Sequence, residues 1–64
     1  MTNQEMRTAQ KELDVGYFKI NYKTGVHYGV IEDFFNGKTE ELAPADRQRM
    51  VALFEAEAKR QKKR

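Results

Sequence analysis

Sixty-four residues form one domain at most, and a chain this short buries only about 60% of the surface its unfolded form exposes. With no cysteine and one histidine it has no disulfide, no thiolate metal site and no zinc centre of its own, and no cofactor is expected. The net charge of +2 is sorted along the chain: Lys59, Arg60, Lys62, Lys63 and Arg64 put +5 in the last six positions, which leaves −3 on the first fifty-eight residues.

The N-terminal residues Met1 to Arg7 hold no apolar stretch that would serve as a signal peptide. No later run approaches the ~18 apolar residues needed to cross a bilayer, so a cytoplasmic chain without membrane contact is expected. The lack of cysteine is compatible with a reducing compartment. Residues 3–13 read as a short helix: Asn3 is a candidate cap, and Met6, Ala9 and Leu13 recur at spacings of three and four.

Positions 15–22 and 26–31 are rich in β-branched and aromatic residues, with Lys23-Thr24-Gly25 between them, and read as a β-hairpin with a three-residue loop. The register that pairs Tyr22 with Val26 also pairs Ile20 with Tyr28 and Phe18 with Val30, so six apolar side chains share one face. Tyr17, Lys19, Asn21 and His27 then occupy the open face. Beyond it, Asn36-Gly37 marks a turn, read either as the link to a third strand over Lys38–Leu42 or as the end of a helical turn over 31–36; the strand is preferred. The last element is a helix from Pro44, with Asp46 in its first turn and Met50, Val51, Leu53, Phe54 and Ala58 on one arc. The expected fold is α+β: an antiparallel hairpin or three-stranded sheet covered on one face by the C-terminal amphipathic helix, with a short N-terminal helix alongside. A single domain spans 1–64, with the basic tail 59–64 extending past the core. A core of this size rarely supplies more than roughly 3–5 kcal/mol, which favours a homodimer.

Catalysis is not expected. His27 lacks a neighbouring nucleophile or orienting carboxylate in any triad-like spacing, and Glu32-Asp33 and Glu40-Glu41 are adjacent pairs whose side chains diverge on either a strand or a helix. Asn36-Gly37-Lys38 lacks the remainder of a phosphate-binding loop. Two binding surfaces remain. Residues 31–46 carry a net −4, and Glu32, Asp33, Phe34, Phe35, Glu40 and Glu41 combine carboxylates with aromatic anchors suited to a basic groove on a larger protein. Alternatively, Lys59, Arg60, Lys62, Lys63 and Arg64 could neutralise nucleic-acid phosphates, with Tyr17, Lys19 and His27 contributing from the open hairpin face.

The expected element order resembles double-stranded-RNA-binding domains, but the last helix begins Pro44-Ala45-Asp46-Arg47 where those domains place lysines. The length and lysine-rich terminal helix are also similar to small archaeal chromatin proteins, which need five strands. Both resemblances lie at the level of element order, and no family is assigned. The expected function is that of a small regulatory or inhibitory protein docking on a larger protein, of the kind phages and other mobile elements encode; the alternative is a nucleic-acid-binding regulator.

Overall fold

The computed structural model describes residues 1–62 and contains four helices: α1 (Asn3–Glu12), α2 (Tyr17–Thr24), α3 (Tyr28–Phe35) and α4 (Pro44–Lys62). There is no strand among the described residues, so the expected α+β fold is corrected to an all-helical one. Lys63 and Arg64 lie outside the described residues.

The first helix begins one residue earlier than Asn3 suggests. Thr2 is its cap: the Thr2 hydroxyl accepts from the Glu5 amide at 3.0 Å, and the Glu5 carboxylate accepts from the Thr2 amide at 2.7 Å. This reciprocal capping box satisfies two amides that the first helical turn leaves unpaired. The Thr2 amide holds the Glu5 carboxyl below its usual range, with the Thr2 hydroxyl adding to the effect. The helix ends in a Schellman turn: Asp14 lies in the left-handed region at φ 53°, and the Val15 amide donates to the Gln10 carbonyl at 3.1 Å.

The two segments read as a hairpin are instead α2 and α3. Their alternating apolar pattern, Phe18-Ile20-Tyr22, suggests a period of two, yet the buried positions follow the helical period. Ile20 and Thr24 point inward from α2, and Ile31, Phe34 and Phe35 from α3. Of the six side chains expected on one sheet face, Ile20 and Val26 are buried, Tyr28 is half-buried, and Phe18, Tyr22 and Val30 are exposed. Helices of eight residues are marginal alone, so these two exist because they pack on the rest of the chain. The Lys38–Leu42 strand is also absent: α3 closes in a second Schellman turn, with Gly37 at φ 79° and the Lys38 amide on the Asp33 carbonyl at 2.8 Å.

Met6, Val15, Ile20, Val26, Ile31, Phe34, Phe35, Met50 and Phe54 form one core, with Leu13, Leu42, Val51 and Leu53 packed against it. α4 is the spine of that core: it carries Met50 and Phe54 into it and contacts both α1 and α2. Arg7 ties the N-terminal helix to the loop after α3. Its Nε donates to the Phe34 carbonyl at 3.0 Å, and its Nη2 to the Thr39 carbonyl at 3.0 Å and the Glu40 carboxylate at 2.5 Å. The guanidinium also lies 4.6 Å from the centre of the Phe34 ring. Arg47 fixes the chain start through the Asn3 side chain and the Met1 carbonyl.

Candidate nucleic-acid and partner interface

The most specific local geometry in the molecule is the connection between α2 and α3. Three residues, Gly25-Val26-His27, join two helices of eight residues each. Gly25 holds φ 76°, a left-handed conformation that glycine enters without a steric penalty, and its amide donates to the Asn21 carbonyl at 2.9 Å. Val26 is fully buried. Three side-chain hydrogen bonds hold the turn: Asn21 Nδ2 to the Val26 carbonyl at 2.7 Å, Thr24 Oγ1 to the Ile20 carbonyl at 2.5 Å, and the Val26 amide to Thr24 Oγ1 at 3.2 Å. His27 then caps α3, its Nδ1 accepting from the Gly29 amide at 3.1 Å. Ile20, Thr24, Val26, Ile31 and Phe34 lock the underside of the unit into the core, leaving Val30, Glu32 and Asp33 exposed on α3, with half-buried Gly29 in its first turn and exposed Asn36 at its cap. The unit is thus two eight-residue helices joined by a three-residue turn.

No protein-family model, curated protein or solved structure matches the chain.

A group of aromatic rings braces the same unit. Tyr17, the first residue of α2, stacks on Phe35 at 5.9 Å, meets Tyr28 edge-on at 6.2 Å, and directs its hydroxyl to Asn36 Oδ1 at 3.4 Å. One side chain thus touches both ends of α3. Phe18 also meets Tyr28, at 5.1 Å between ring centres and tilted by 40°. Phe18 and Tyr22 sit one turn apart on α2 and are 78% and 82% exposed, an unusual placement for large apolar side chains in so small a protein.

The residues singled out in the sequence fall in different places. Phe34 is wholly buried and Phe35 is 8% exposed, so the acidic stretch has no aromatic anchors from these two positions. Glu32 and Asp33 are exposed on α3, whereas Glu40 is engaged by Arg7, which draws its carboxyl below the usual range, and Glu41 lies exposed in the loop before α4. In the basic set, Lys19 and Arg60 converge on the Glu57 carboxylate, each at 2.7 Å. Glu57 is buried among them; the Lys19 ammonium, followed by Arg60, pulls its pKa from 4.5 to about 2. Lys59 and Lys62 are exposed on the last turns of α4, and Lys63 and Arg64 lie outside the described residues. His27 is exposed and acts as the α3 cap, while Tyr17 is half-buried in the aromatic brace.

Phe18, Tyr22, Tyr28 and Asn36 did not emerge from the sequence as a surface. The signal that could have found it is Gly25 followed by apolar Val26, with Ile20 five residues before the glycine and Ile31 and Phe34 six and nine after it. That spacing is what two short helices about a tight turn need to bury one side each.

Among the described residues no group of three or more His, Cys, Asp or Glu is placed to hold a metal ion, and no helix is long and apolar enough to cross a membrane.

Proposed function

We propose that the chain is a small non-enzymatic DNA-binding regulator of the cytoplasm that presents the N-terminal end of α3 to the major groove. The observation that carries this reading is the α2–turn–α3 unit, with its left-handed Gly25 and buried Val26. In DNA-binding helix–turn–helix proteins, which join two short helices by a turn of three or four residues, the second helix lies in the groove with its first residues at base edges, while the first crosses the phosphate backbone. The reading extends from architecture to activity by analogy of the unit. Its support in this chain is that every large apolar residue of α3 facing the core is fully used, while its other face is free. Two copies on one site would double the contact and supply the buried surface that a single small core lacks.

The carboxylates of Glu32 and Asp33 oppose duplex phosphates, so affinity for unselected DNA should be low and base contacts should carry more of the binding. The test is selection from a library of randomised duplexes at low salt with the full chain. Enrichment of a preferred sequence supports the proposal, and an unenriched pool overturns it. Light scattering on the enriched duplex checks the copy number; one chain per duplex removes the paired arrangement.

A second reading is docking on a larger protein, and the exposure of Phe18 and Tyr22 favours it. These rings, with Glu32 and Asp33 nearby in sequence and Glu41 elsewhere on the acidic side, would suit a basic apolar partner. Nuclease-resistant capture that Glu32→Gln and Asp33→Asn weaken supports this alternative. Capture indifferent to both substitutions counts against it.

A further inference from the structure

Resting on the DNA reading above, we infer that Tyr28 senses the 5-methyl group of a thymine, and that Tyr17 and Phe18 are the positioning residues that hold its ring. Tyr28 is the first residue of α3, the place from which the second helix of such a unit reaches base edges. Its ring meets Tyr17 edge-on at 6.2 Å and 67° and lies 5.1 Å from the ring of Phe18 at 40°. A ring already in contact with two others has less freedom to lose on binding, which lowers the entropic cost of its contacts.

The chemistry of the neighbouring positions narrows what it reads. The leading turn of α3 is His27-Tyr28-Gly29-Val30 and contains no amide, ammonium or guanidinium side chain. The bidentate contacts that select guanine or adenine need Arg, Lys, Asn or Gln. His27 Nδ1 is already committed to the Gly29 amide. Gly29 cannot shield the outer edge of Tyr28, and a β-carbon there would sit 3.2 Å from the His27 ring, so the capped histidine and the bare glycine belong to one arrangement. Beyond single hydrogen bonds from His27 Nε2 and the Tyr28 hydroxyl, what the tip of the helix offers is apolar: the edge of the Tyr28 ring and the exposed Val30 side chain. In the major groove the one apolar feature a base displays is the thymine methyl.

The test uses the full chain and a duplex selected by it, in which each thymine is replaced singly by deoxyuridine. This removes the methyl group and leaves the hydrogen-bonding edge and the protein unchanged. The expected result is a loss of about fourfold in affinity at one or two positions, the size of burying one methyl group. Tyr28→Ala should bind thymine and deoxyuridine duplexes equally, Tyr28→Phe should keep the discrimination, and Phe18→Ala should reduce it without altering which positions respond. Equal affinity for every deoxyuridine duplex would overturn the inference while leaving the DNA reading in place. Failure to select any sequence would overturn both.

Discussion

Asp14 and Gly25 both hold left-handed backbone, at φ 53° and 76°, and both close a helix. They differ in what that conformation costs. A side chain in this region is strained by roughly 1–2 kcal/mol against the following carbonyl, whereas glycine is not. Gly25→Ala meets no atom within 4 Å, so its penalty is backbone strain alone, and chemical denaturation should show a loss of about 1 kcal/mol. Asp14→Gly should move the midpoint the other way, by up to about 1 kcal/mol, because the Schellman bonds around it involve backbone groups only. A third residue acts through charge. The folded-state pKa of Glu57 is lowered to about 2, so protonating it costs the native state more than the unfolded chain. Its stabilising effect is complete above about pH 5 and disappears as pH falls from 4.5 towards 2. Thermal denaturation at pH 7, 4 and 2.5 should therefore separate the native chain from Glu57→Gln at the upper values and bring them together at the lowest. Lys19 and Arg60 are partly exposed, so solvent screening keeps the separation at neutral pH small.

At the scale of elements, α1 and α4 are legible in the sequence because their signals are local: a polar residue at the start of α1, read as Asn3 where the cap is Thr2, Pro44 at a first turn, and apolar residues at spacings of three and four. α2 and α3 are not, because composition and period disagree. Phe18, Ile20, Tyr22, Val26, Tyr28 and Val30 are strand formers by type, and half of them alternate with polar neighbours. Only the pattern Ile20, Thr24, Val26, Ile31 and Phe34 reveals two helices, and it spans the turn, so no window within one element contains it. The helical assignment is settled by tertiary packing on Met50 and Phe54. The same error hid the candidate site, since placing Phe18 and Tyr28 in a sheet core removes them from the surface. The acidic pair of α3 gives the element its own test. Within the DNA reading, Glu32→Gln with Asp33→Asn should raise affinity for unselected duplexes by roughly fivefold at low salt, the equivalent of one exposed charge contact of about 1 kcal/mol. Anisotropy titrations that show no gain would place this face away from the phosphates.

Over the whole molecule, charge is sorted between the middle of the chain, which is acidic over 31–46, and its basic last six positions. α3 and the loop after it hold Glu32, Asp33, Glu40 and Glu41 against Lys38, α2 carries Lys19 and Lys23 and no carboxylate, and the exposed cations Lys59 and Lys62 project from the end of a helix 19 residues long. The Glu57 carboxylate draws Lys19 and Arg60 together, linking α2 to the base of that last segment and keeping two cations from acting as free charges. If α3 supplies base contacts, the tail can add only phosphate contacts, which carry no sequence information. Removing residues 59–64 should therefore weaken binding to selected and unselected duplexes alike and flatten the dependence of log affinity on log salt, by about 0.9 for each phosphate that the tail no longer neutralises. The preferred sequence should be unchanged. A truncated chain that selects a different sequence would locate base recognition in the tail, and one with an unaltered salt slope would leave those cations with no part in binding beyond complementing the negative end of the α4 dipole.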